Sequence, residues 1–198
     1  MKNSLTIVLA ATLASAVLFG CAGSPEQQIE DAYAALAAAD SLEADQYVPE
    51  LYMAAQDSFA AAHSEIEGQE GVAGVKPDYT RAKTLLEYVV ATANEAAAQV
   101  PARKEEVRVE TDSLIAQAQT RLAAVQEALA ARPAGAAISP VNLQESSMSA
   151  QTALQQAVEA QASGSYAQAY ELVRTALSEI ESVETQLAAP ATPGAPRS

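Results

Sequence analysis

From residue 78 onward a stripe of small and apolar side chains keeps three-and-four spacing for about five turns, and the same stripe returns 87 residues later. Ala82, Leu85, Leu86, Val89, Ala93, Ala96 and Val100 align with Ala169, Leu172, Val173, Ala176, Ile180, Val183 and Leu187. That spacing puts one side of a helix, not one face of a strand, against a core. Upstream, Met53 to Ala62 parallels Met148 to Ala157 at an offset of 95. A weaker match joins Ile29–Leu36 with Ile115–Leu122. Three helices therefore recur in order, and the offsets differ because the first copy has the longer Gly-containing loop. The pattern predicts an all-α fold: two tandem three-helix repeats forming an elongated helical bundle or short solenoid, with a long central helix.

Breakers set the expected boundaries. Helices are predicted over 25–42, 49–66, 78–99, 102–131, 140–162 and 165–188, interrupted at Pro49, at Gly68 to Pro77, at Pro101, at Pro133 to Gly135, at Pro140 and at Gly164. Ser24 reads as an N-cap with Pro25 as the first helical residue and Gln27 as capping-box partner; Asp78, Ser139 and Ser165 read as further N-caps. The first repeat is assigned to 26–100 and the second to 101–188. Residues 189–198, rich in Pro and Ala, read as a disordered tail.

Composition then limits the partners. Hydrophobic residues make up 49% of the chain, but alanine dominates them and aromatics are only 5%, so each buried position yields little apolar area. Close-packed helices of modest stability follow. The formal charge is −14, from 25 acidic against 11 basic residues. Such a surface repels phosphate backbones and anionic headgroups, which argues against nucleic acid as a partner.

The first twenty residues have export architecture: Lys2, an apolar stretch from Leu5 to Leu18, then Leu18-Phe19-Gly20-Cys21. That ending resembles the lipobox of bacterial lipoproteins. The resemblance implies a signal peptide over 1–20, cleavage between Gly20 and Cys21, and lipid attachment at Cys21, with 21–25 as a short tether. It also gives the lone cysteine a purpose, since no internal disulfide is open to a single Cys. Several acyl chains, each contributing about 0.8 kcal/mol per buried CH₂, hold a protein stably on a membrane. Ala22 after the cysteine points, by the sorting habit of enteric lipoproteins, to the periplasmic face of the outer membrane. Further on, Pro49-Glu-Leu-Tyr-Met-Ala-Ala-Gln56, the Gly-containing loop, Asp78-Tyr79-x-x-Ala82 and Gly164-Ser165-Tyr166-Ala-Gln-Ala169 resemble the DUF4398 group of bacterial lipoproteins and, in the Tyr-x-x-Ala turn, tetratricopeptide helix pairs. This second resemblance implies a helical fold and an envelope address.

Catalytic chemistry finds little footing. His63 is the only histidine and reads as a solvated helix-end residue. Zinc-type and calcium-type spacings are lacking, and neighbouring carboxylates such as Glu179 and Glu181 do not share a helix face. No cofactor, metal or small-molecule substrate is expected, and Arg103-Lys104-Glu105-Glu106 reads as an exposed mixed-charge patch. Tyr79 and Tyr166, which open equivalent helices, are expected to pack inward. Tyr52 and Tyr88 have no aromatic counterpart in the second copy; with Tyr170 they are the candidate partner-binding residues. Ile115, Ala118, Leu122, Val125 and Leu129 have coiled-coil spacing over two heptads, with core packing the favoured use. The expected function is a non-enzymatic adaptor or scaffold for envelope proteins or peptides. The alternatives are a self-associating spacer and, last, a wall-modifying enzyme.

Overall fold

The computed structural model describes residues 23–70, 74, 76–131 and 140–189. Cys21, Gly20, the leader, Ser139 and the tail from residue 190 lie outside these. Six helices, and no strand among the described residues, make up the fold: α1 (Glu26–Ser41), α2 (Ala44–Tyr47), α3 (Pro49–Glu70), α4 (Thr80–Ala130), α5 (Pro140–Ser163) and α6 (Tyr166–Ala188).

The largest departure from the sequence reading is α4. The expected break at Pro101 does not occur, and the segments 78–99 and 102–131 are one helix of 51 residues, about 77 Å long at 1.5 Å per residue. Proline removes one amide donor and disfavours helical geometry at the residue before it. Tertiary packing overrides that cost here. Val100 is buried at 2% exposure, and Lys104, one turn on, is tied to Glu43 by an ion pair and lies 5.2 Å above the Tyr47 ring. The boundary assigned between residues 100 and 101 thus falls inside a continuous element.

Around α4 the chain builds two three-helix bundles. In the first, the N-terminal half of α4 runs parallel to α1 and antiparallel to α3; in the second, its C-terminal half runs parallel to α6 and antiparallel to α5. The third helix of one bundle is therefore the first helix of the next. Each bundle has its own core, one from Ala32 to Val100 and one from Ile115 to Val183. Every residue of the repeated stripe is buried or packed against a core in both copies, except that Ala169 is buried outside the second cluster. The coiled-coil-spaced residues Ile115, Ala118, Leu122 and Val125 are likewise spent inside the second bundle, against α5 and α6.

Nine of the sixteen buried residues of the first core are alanine, against four of twelve in the second. The first bundle therefore excludes less apolar area per position and leans on close backbone approach. Its larger fillers, Tyr47, Tyr52 and Leu86, carry a disproportionate share.

Local chemistry at the helix ends is mixed. Gly164 takes a left-handed φ of +85°, and the Ser165 amide donates to the Ala160 carbonyl at 2.9 Å, which closes α5 in a Schellman-type turn. Ser165 is the residue before α6 as expected, but its side chain makes no cap bond. The Ser24–Gln27 capping box is absent: Pro25 stands at the cap and no side chain closes the turn. At α4 the capping residue is Tyr79, one position later than expected, while Asp78 Oδ1 accepts from the Thr80 amide at 3.0 Å and from its hydroxyl at 2.7 Å. Helix α3 continues through Gly68 to Glu70, and α2 is a single turn between the first two helices that the breakers predict. It follows Glu43, whose φ of 66° is left-handed for a residue with a Cβ.

Across the second bundle, Arg121 Nε donates to Glu184 Oε1 at 3.1 Å and its Nη2 to Oε2. This fork holds the Glu184 carboxyl below its ordinary value near 4.5. A depressed carboxylate contributes stability above the unfolded value and loses it as pH falls through the folded one. With Glu184 38% exposed, solvent limits the pair to about 1 kcal/mol or less. The melting temperature of the parent should therefore fall more steeply below pH 4.5 than that of Glu184→Gln; parallel pH–melting curves would contradict the assignment.

Candidate binding grooves

Helices α1 and α3 both rest on α4 and barely touch each other, so a groove opens between them. Tyr33, Leu36, Ala37 and Asp40 line it from α1, and Tyr52, Gln56, Phe59 and Ala60 from α3; its volume is about 400 Å³. The spacing on each helix is three or four, so each set forms one continuous ridge. Tyr33 stands on the rim at 67% exposure. Tyr52 forms the floor at 7% exposure, and its hydroxyl donates to Asp40 Oδ1 at 2.9 Å. Burial, with Asp40 as hydrogen-bond acceptor and neighbouring charge, pushes the Tyr52 phenol above its ordinary value. At the far end, the Phe59 ring meets His63 edge-on, with centroids 4.7 Å apart. His63 is exposed but lies about two turns before the end of α3, not at its terminus.

The repeat supplies an internal comparison. At the matching positions of the second bundle, Tyr33 becomes Gln119, Asp40 becomes Gln126, Tyr52 becomes Ser147, Gln56 remains Gln at 151 and Phe59 becomes Leu154. There Gln126 Nε2 donates to Gln151 Oε1 at 3.3 Å, an exposed link between α4 and α5 where the first bundle has the Tyr52–Asp40 bond between α3 and α1. Both copies thus carry one side-chain link across this line, but the residues along it are aromatic in the first copy and glutamine, serine and leucine in the second.

A second cleft, of about 520 Å³, lies where the bundles meet, between Gln46, Tyr47 and Pro49 on one side, Arg103 and Val107 on α4, and Ala167, Gln168, Tyr170 and Glu171 on α6. The Tyr47 hydroxyl accepts from the Ala167 amide at 3.2 Å, locking α2 of the first bundle onto the start of α6. Tyr170 reaches Glu110 Oε1 at 3.3 Å and carries the Arg174 guanidinium 5.6 Å from its ring centre.

The three tyrosines singled out from the sequence therefore do not form one surface. Tyr52 lies on the floor of the α1–α3 groove, Tyr170 lines the junction cleft, and Tyr88, 52% exposed on α4, lines neither. Arg103-Lys104-Glu105-Glu106 is only partly a solvated patch: Arg103 pairs with Glu106, but Lys104 crosses to Glu43. Tyr33 and Phe59 belong to the groove and were not among the candidates. Their signal lay in the repeat itself, where aromatic residues face glutamine and leucine in the other copy. No group of three or more His, Cys, Asp or Glu able to hold a metal occurs among the described residues, and no helix among them is long and apolar enough to cross a membrane.

Fold and grooves together define an all-α protein of two bundles on a shared helix, with an aromatic groove between α1 and α3. Comparison with family models, with curated proteins and with solved structures returns no match.

Proposed function

We propose that this protein is a non-enzymatic adaptor, anchored by lipid at Cys21 to the periplasmic face of a bacterial outer membrane, that holds a protein or peptide of the envelope. The observation that carries the binding role is the α1–α3 groove, lined by Tyr33, Tyr52 and Phe59 in one copy of the repeat and without an aromatic side chain at the matching positions of the other. A structural unit repeated only for packing has no need of that difference. The lipobox-like ending of the leader supports the anchor, and the resemblance to the DUF4398 lipoproteins supports the address. Mechanistically, anchoring raises local concentration, and a preformed groove on rigid helices spares the ordering cost of binding.

Photoreactive residues placed at Tyr33, Tyr88 and Tyr170 in the intact cell test this reading. A discrete heterologous crosslink that disappears in a Cys21→Ala strain is the expected result. Crosslinks only between copies of this chain would instead support the spacer, and no specific crosslink at any of the three positions would remove the adaptor reading.

A further inference from the structure

Charge is distributed unevenly around the α1–α3 groove. Between Glu26 and Val75 the chain carries eleven Asp and Glu and not one Lys or Arg. Among the described residues only two of those carboxylates form ion pairs, Glu43 with Lys104 and Glu65 with Arg81, and both partners come from α4, on the side away from the groove. Asp40 ends the α1 ridge with an exposed carboxylate that takes the Tyr52 hydroxyl on one oxygen. Glu30 and Glu26 continue the same ridge one and two turns before Tyr33, and both are exposed.

We propose that this groove binds a cationic amphipathic segment of a partner protein: a short stretch in which one or two aromatic or aliphatic side chains enter between Tyr33 and Phe59 while flanking Lys or Arg meet Asp40 and Glu30. The proposal rests on the adaptor reading and names its ligand chemistry. The groove dictates each part. About 400 Å³ accommodates a few apolar side chains and not a domain. The seven steps along α1 from Tyr33 to Asp40 advance about 10 Å, which matches roughly two turns of an incoming helix. An aromatic floor beside carboxylates suits the apolar stems and charged heads of Lys and Arg, which pack along apolar surface while keeping the charge at the rim. An acidic or neutral partner would leave this band of carboxylates uncompensated, at a cost in specificity and in association rate.

The test uses the full chain in phosphatidylcholine nanodiscs and a fluorescent twelve-residue helical peptide of Lys, Leu and Phe, read by anisotropy with empty discs subtracted. A second peptide has Glu in place of each Lys. The Lys peptide should bind, and raising the salt from 50 to 300 mM should weaken it several-fold, as charge pairing requires. Tyr33→Ala, which removes the aromatic rim of the groove, and Asp40→Asn should each weaken it several-fold, while Met148→Ala, exposed on α5 of the second bundle, leaves it unchanged. Tyr33 is exposed, so its truncation is expected to leave the fold intact, and unchanged circular dichroism confirms that for each variant. Equal binding of the two peptides, no binding of either, or indifference to Tyr33→Ala would overturn the proposal. So would a copy of this chain as occupant, seen as an oligomer that dissociates on Tyr33→Ala. The two readings fail separately: a partner crosslinked through Tyr170 or Tyr88, with no groove binding, sinks this proposal and leaves the adaptor standing. Peptide binding without any envelope crosslink does the reverse.

Discussion

Leu86→Ala will destabilise the protein by about 2–5 kcal/mol, and by the upper half of that range. Leu86 is fully buried on α4 in the first core, nine of whose sixteen buried residues are alanine. When a leucine is truncated, longer side chains nearby can swing in and recover part of the lost contact. Alanine methyl groups have no rotamers with which to do so. The cavity therefore stays open, and the cavity contribution adds fully to the lost transfer energy. Urea unfolding of parent and variant, with the slope checked for constancy, measures the difference. Leu85→Ala, one position along and only partly buried, should cost clearly less. A Leu86 effect below about 1 kcal/mol would mean that the first core is not packed as described.

Pro101→Ala will act in the other direction, raising stability by about 1–3 kcal/mol. Proline inside a helix costs about 3 kcal/mol relative to alanine, through the missing amide donor and the clash with the preceding turn. Alanine restores the hydrogen bond to the Ala97 carbonyl, while the packing that presently holds α4 continuous is untouched. Some of the gain is offset because proline also stiffens the unfolded chain. Thermal and urea unfolding would both move upward. A loss of stability on Pro101→Ala would show that the ring makes contacts at the bundle junction worth more than the helix it interrupts.

The same proline marks where sequence reasoning reached its limit. Helix chemistry at Gly164 is local: a left-handed residue closes the turn with its own neighbours, and the sequence shows it directly. Pro101 is decided by Val100, Lys104, Glu43 and Tyr47, and Glu43 is 61 residues from its partner in the chain. Local propensity pointed one way and tertiary contacts the other. The repeated stripe was legible because periodicity survives any packing, and its residues are indeed the buried ones. The groove was not, because it belongs to neither α1 nor α3 alone. Tyr52 looked like an interface residue for want of an aromatic counterpart, but the counterpart position, Ser147, is itself buried. What differs between the copies is the bulk beneath the groove, not exposure at its surface. The run without Lys or Arg from residue 26 to 75 was present in the sequence all along, yet it acquires meaning only once two helices are seen to bring it around one cleft.

The shared helix also has a mechanical side. Gly23 lies beside Lys76, Pro77 and Lys83 at the start of α4, whereas α6, parallel to α4, ends near its finish. The two ends of the described chain thus leave from opposite poles. Tension applied between them is transmitted along α4, through the turn at Pro101, where a backbone hydrogen bond is missing and the start of α6 is held to the first bundle by the Tyr47 hydroxyl and the packing of Ala167. Under load, that turn is where α4 should yield first, separating the bundles before either is pulled apart.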